Sequence, residues 1–206
     1  MSHDHDDHAT IEELDHPPTR YEILEQTIRE LLIEKGVLTA DAIQRQIEDM
    51  ESRTPEKGAA VVARAWTDPE FKALLLRDGT AAVESVGIDM ANAPRLAVVE
   101  NTPSIHHLIV CTLCSCYPRK LLGIPPAWYK SHAYRSRAVI DPRGVLREFG
   151  TEVPEHIEIR VVDSTADLRY IVLPLRPNGT DDMSSDELAG LVNRDSMIGV
   201  TQARAP

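Results

Sequence analysis

The chain has 206 residues, a formal charge of -11 at pH 7 and three cysteines. That length suits one domain with an extension and is enough to bury a sizeable core. The acidic balance argues against a nucleic-acid partner, since no basic stretch is concentrated enough to follow a phosphate backbone. With no apolar run of transmembrane length and no signal-peptide core, the expected location is the cytoplasm, away from membranes.

Residues 1–18 are polar, with His3, His5, His8 and His16 set among acidic residues and no apolar periodicity. This segment is expected to be disordered, serving either to capture metal or simply as a soluble tail. The spacing then predicts a helix over Arg20–Lys35, with Tyr21, Leu24, Ile28, Leu31 and Leu32 on one stripe and Gly36 as its stop. A second helix over Ala40–Met50 repeats the pattern with Ile43, Ile47 and Met50. Residues 19–52 therefore read as a helical arm, packed on another subunit or folded back as a hairpin.

Residues 53–206 read as the main domain. Helices are predicted over Pro55–Trp66, from the Asp68-Pro69 cap to about Asp78, and then to Val86 before Gly87. Trp66 and Phe71 are expected in the core. Leu96–Glu100 is a first strand, turned by Asn101-Thr102-Pro103-Ser104 into a second, Ile105–Cys111. Beyond the cysteines, Pro126 opens a short helix carrying Trp128 and Tyr129. Ser131–Ile140 is helical, and Asp141-Pro142 caps a helix ending at Gly150. Glu155–Asp163 and Arg169–Leu175 are strands, and the Ser184/Glu187 capping box opens a last helix to about Val192. The order of elements gives an α+β layer architecture.

All three cysteines lie within Cys111-Thr112-Leu113-Cys114-Ser115-Cys116, at the end of a predicted strand. Pairing any two would close a small, strained ring and leave one thiol over. Structural zinc usually takes two well-separated ligand pairs, which are missing, and adjacent His106 and His107 point to opposite faces of a strand. Zinc and three inert buried thiols remain as alternatives. A third reading uses the backbone. If Cys114 and Cys116 bind one ion, the Ser115 and Cys116 amide nitrogens fall within reach. Three sulfurs and two such nitrogens suit trivalent cobalt or iron, with one position left for water or substrate.

V-C-T-L-C-S-C-Y (Val110–Tyr117) resembles the metal loop of the nitrile hydratase α-subunit family, in the cobalt form with Thr after the first cysteine. Segments at Gly58–Lys72, Leu122–Lys130, Tyr134–Arg137, Asp141–Leu146, Arg169–Pro174 and Arg194–Val200 also look like family segments in family order. The resemblance implies a four-layer α-β-β-α metal-binding domain with an N-terminal helical arm. It further implies a nitrile-to-amide hydration at one non-corrin Co(III) per chain. Cys111 would be the axial thiolate, Cys114 a sulfinate and Cys116 a sulfenate, with Ser115 and Cys116 as amide ligands and Cys114 and Cys116 taking part in catalysis. Tyr117, Trp128 and Tyr134 are candidate pocket walls. Thr112, Asp163 and Arg169 are candidates for supporting the ligands. The implied partners are a β subunit, a cobalt-loading activator and a small nitrile.

The departures from the family pattern carry information too. Arg119 stands where a Trp is usual, Val161-Val162-Asp163 replaces V-W-D, and Thr180-Asp181-Asp182-Met183 replaces T-D-G-W. Arg119 also resembles the γ subunit of thiocyanate hydrolase, whose reaction converts thiocyanate to carbonyl sulfide and ammonia, and a cation there would attract that anion. A metal-storage or delivery protein without turnover is the third reading.

Overall fold

The computed structural model describes residues 17–206; the His-rich segment up to His16 lies outside them. The chain divides into two compact units at Ile47/Glu48. In the first, helix α1 (Arg20–Glu34) opens on a capping box in which Thr19 accepts from the Glu22 amide and the Glu22 carboxylate accepts from the Thr19 amide. No residue of α1 is buried: Tyr21, Leu24, Ile28 and Leu31 of its apolar stripe are all exposed. Helix α2 (Ala40–Glu51) follows and runs across the division.

The second unit begins with α3 (Pro55–Thr67), α4 (Pro69–Arg77) and α5 (Gly79–Ser85). Asp68 caps α4 and Asp78 caps α5, each carboxylate accepting an amide three residues on. Trp66 donates its indole N–H to the Pro174 carbonyl at 2.9 Å and Phe71 is buried, so both aromatics serve the core as expected.

Four strands follow: β1 (Arg95–Glu100), β2 (Ile105–Val110), β3 (Glu158–Asp163) and β4 (Leu168–Leu173). The turn after β1 does not make a hairpin, as the sequence order suggests it would. β1 pairs in parallel with β4, and β2 in parallel with β3. Asn101 explains the corner. Its amide extends the β1 ladder by donating to the Leu173 carbonyl, while its side-chain oxygen accepts the His107 amide at 2.7 Å. One residue therefore ends one sheet and begins the other. β3 is also shorter than predicted, because the Arg143 guanidinium gathers the carbonyls of Val153, Pro154 and Ile157 and holds that segment as a turn.

Between β2 and β3 run the helical turns α6 (Arg119–Leu122) and α7 (Ala127–Lys130), then α8 (His132–Ile140) and α9 (Pro142–Glu148). The chain closes with α10 (Ser185–Gly190), opened by the predicted Ser184/Glu187 box, and α11 (Arg194–Ile198). Helices α4 and α5 pack on β1, β4 faces β2, and α8 and α9 cover β2 and β3. The result is a helix, sheet, sheet, helix stack with a continuous apolar core. β2 is buried along almost its whole length. Glycine is required at two points. A Cβ on Gly123 would meet the Arg53 carbonyl, and one on Gly199 would meet the His107 carbonyl, and both residues have positive φ.

Candidate metal centre

The buried strand β2 delivers the cysteine loop at its carboxyl end. The three sulfurs converge, with every pair within 4.8 Å: Cys111 Sγ is 3.3 Å from Cys114 Sγ, which is 3.0 Å from Cys116 Sγ. Cys111 and Cys116 are buried while Cys114 is exposed, so the cluster has a sealed side and an open one. Hydrogen bonds from the Cys116 and Cys111 thiols hold Cys114 below the ordinary thiol value, and the amides of Ser115 and Cys116 add to this by facing the same sulfur. Burial, and then donation to Cys114, pushes Cys116 up to about 12. Without a cation, therefore, Cys114 gives up its proton more readily than Cys116. A metal ion would remove the remaining protons on binding.

The loop is held from several sides. Asp163, at the end of β3, accepts the Thr112 amide at 3.0 Å and the Thr112 hydroxyl at 2.5 Å. Arg135 of α8 donates to the Thr112 carbonyl at 3.2 Å. Tyr129 of α7 donates to the Cys116 carbonyl at 2.8 Å, and Tyr134 of α8 to the Ile109 carbonyl at 2.6 Å. The positive charge of Arg169 on β4 is felt at Cys116, yet its Nε and Nη1 are buried without a hydrogen-bond partner among the described residues. An orphaned buried guanidinium is costly unless something anionic completes it.

The remaining predicted residues have distinct fates. Thr112 and Asp163 are brought together, and Arg169 is brought beside Cys116. Neither His106 nor His107 joins the sulfurs. The His106 ring spans from the Gly199 carbonyl (2.7 Å) to the Asn101 amide (3.3 Å), and His107 bonds to Asn101. Trp128 and Tyr134 line a cleft with Ser131, Ala133, Arg137 and Phe149, none of which belongs to the cysteine loop. Their rings stack edge-on 4.9 Å apart, Trp128 lies 4.8 Å from Phe149, and Tyr134 is buried, so both belong to an aromatic base beneath the loop. Tyr117 is buried too, its ring 5.0 Å from Tyr129, and burial raises its phenol well above the usual value. Arg119 opens α6 with its side chain exposed and makes no ion pair among the described residues. Sequence reasoning missed Tyr129 and Arg135 as supports. Both act through loop carbonyls, which leave no trace in residue spacing.

The donor set fits a metal ion: three converging sulfurs, two amides facing them, and beside the buried Cys116 thiol a guanidinium with two donors unpaired among the described residues. Fold and site together define an α+β metal-binding domain built around a hexapeptide that holds three cysteines. The family model described as nitrile hydratase, alpha chain, matches residues 19–201. The high-molecular-weight cobalt-containing nitrile hydratase subunit alpha of Rhodococcus rhodochrous is 50% identical over 190 residues, 91% of this chain and 94% of the relative. Thiocyanate hydrolase subunit gamma of Thiobacillus thioparus is 44% identical over 191 residues, 87% of this chain and 79% of the relative. A solved structure of recombinant thiocyanate hydrolase comprising partially modified cobalt centres superposes with a TM-score of 0.84 at 42% identity, covering 92% of this chain and 96% of that one. This chain belongs to the nitrile hydratase α-chain family.

Proposed function

We propose that this chain is the metal-bearing α subunit of a cobalt nitrile hydratase, converting a nitrile to its amide. The observation that carries the reading is the convergence of Cys111, Cys114 and Cys116 on one centre with an exposed side, in a chain half-identical to a cobalt-containing subunit of that enzyme. Cys111, Cys114 and Cys116 would hold the cobalt through sulfur, and Ser115 and Cys116 through their amide nitrogens. Thr112 after the first cysteine favours cobalt over iron. When bound, a trivalent ion supplies Lewis acidity, polarising the carbon–nitrogen triple bond and making water acidic enough to react near neutral pH.

The protein's own groups do the rest. Cys114, oxidised to a sulfinate, and Cys116, to a sulfenate, place acceptor oxygens at the mouth of the site. The Cys116 oxygen takes the proton from the attacking water, a C–O bond forms at the nitrile carbon, and the nitrogen gains that proton before the imidate tautomerises to the amide. Arg169 supplies positive charge beside Cys116, and its two unpaired donors suit an oxidised sulfur better than a thiol. Asp163 and Arg135 keep Thr112, and with it the loop, from swinging outward.

The open side needs a second chain. Leu113 beside it is 90% exposed, and the relatives are named as subunits. A β subunit covers this face and adds cationic groups, residues 19–52 form an arm that packs on it, and a separate activator loads the cobalt. Reduced thiols awaiting a metal fit the cytoplasm. No described helix is long and apolar enough to cross a membrane.

Arg119, exposed and without an ion-pair partner among the described residues, favours thiocyanate hydrolysis as the second reading. The test is to co-express the chain with its partners and activator, measure cobalt and intact mass, and assay small nitriles against thiocyanate. One cobalt per chain, three added oxygens on Cys114 and Cys116 together, and amide formation are expected. Thiocyanate turnover alone would favour the second reading, and a matured complex holding exchangeable cobalt with no turnover would favour storage.

A further inference from the structure

Two tyrosines from successive helical elements grip the metal loop at its entry and its exit, and neither needs the metal to do so. The entry grip follows from strand parity. Glu158 donates to the Ser104 carbonyl and Ser164 to the Val110 carbonyl, so the even-numbered carbonyls of β2 face β3 and the Ile109 carbonyl faces the free edge. Tyr134 satisfies it there at 2.6 Å. The exit grip is Tyr129, which has no exposed surface and donates its hydroxyl to the Cys116 carbonyl at 2.8 Å. The two rings lie 5.7 Å apart, with Trp128 and Tyr117 against Tyr129 and Phe149 against Tyr134. The spacing of the two hydroxyls is therefore set by close-packed aromatic rings.

We infer that Tyr129 is a positioning residue for the metal centre: by anchoring the Cys116 carbonyl to the aromatic base, it fixes where the last sulfur of the loop is presented. The inference rests on the function proposed above. It concerns a residue that touches neither substrate nor metal. Cys116 has no other support of this kind. Thr112 is tied down by Asp163 and Arg135 and Cys111 continues directly from β2, but on the far side of Cys114 the Tyr129 bond is the one side-chain bond that reaches the loop's backbone from another element among the described residues. Without the hydroxyl, the buried Cys116 carbonyl loses its partner, and the peptide gains freedom to turn in search of another.

The experiment uses the cobalt-loaded complex with its partner subunits, comparing wild type with Tyr129→Phe, which keeps the ring and removes only the hydroxyl. Expected are a roughly 10-fold fall in kcat, the scale typical of groups that orient metal ligands, with KM within about twofold because substrate binding is untouched. A shifted sulfur-to-cobalt charge-transfer band and faster loss of cobalt to a chelator should accompany it. A purely structural role would lower the thermal midpoint and leave band and kcat alone, and that result would overturn the inference. If Tyr129→Phe does not assemble, 3-fluorotyrosine at position 129 keeps ring and hydroxyl while strengthening the donor. It should move the same band, and an unmoved band would equally overturn the inference. A wild-type complex without cobalt or nitrile turnover would instead sink the proposed function itself.

Discussion

The two ends of β2 carry the two residue types that most often bind transition metals, and they use them in opposite ways. At its start, His106 and His107 spend their polar atoms on Asn101 and Gly199. Burial holds both rings below the ordinary imidazole range, and they are part of the core. At its end, three sulfurs face one another with one side open, and two buried nitrogens of the nearby Arg169 guanidinium lack a partner among the described residues. Residue type does not separate a ligand from a core side chain; the completeness of its hydrogen bonding does.

The comparison breaks most sharply at Cys111. Cys111→Ala in the co-expressed complex should abolish cobalt retention, read by metal analysis, and reduce nitrile hydration to background. Retention of activity would place the metal elsewhere. Next in size is Arg169→Gln, which removes the charge while keeping a polar, hydrogen-bonding side chain. About a 10- to 100-fold loss in turnover is expected, along with less complete oxidation of Cys116 by intact mass. A fully oxidised, fully active variant would show the guanidinium to be completed by something other than the sulfur. Asp163→Asn should have a smaller effect, because the amide can still accept one of the two Thr112 hydrogen bonds. Cobalt should leave about 10-fold faster, with a stability change below about 1 kcal/mol since the carboxylate is exposed.

Much of this could be read from the chain, in proportion to how local each signal is. The caps at Asp68, Asp141 and Ser184 involve side chains three residues from the amides that donate to them, and each is found where expected. The cysteine loop was legible for the same reason, since a hexapeptide brings its own ligands together. Strand pairing was not. β1 and β4 are joined by ladders spanning over seventy residues of sequence, so nothing near Asn101 distinguishes a hairpin from a step between sheets. Helix α11 was missed because five residues give no periodicity, although Asn193 caps it and Gly199, at φ +86°, ends it. Arg135 and Tyr129 were missed because they recognise carbonyls, which every residue has.

The smallest expected effect tests the quiet end of the strand. His106→Gln should leave cobalt content and turnover unchanged, because the ring bonds to Asn101 and Gly199 and not to the loop. Its cost should be about 1–2 kcal/mol, for polar groups left imperfectly paired. The pH dependence is more telling. Burial disfavours the charged ring, so the folded His106 has a value below the ordinary 6.5, opposed only in part by the Gly199 carbonyl. The unfolded chain then binds a proton that the folded chain refuses. Stability is fully present above about pH 6.5 and falls as pH drops below it, until the folded ring also takes up a proton. Denaturation midpoints measured between pH 5 and pH 8 should therefore decline on the acid side. The decline should be shallower in His106→Gln, with the remainder carried by His107, whose value is also depressed. Equal acid slopes in the two proteins would mean that His106 is charged in the fold, and an imidazolium there would undo the contrast between the two ends of β2.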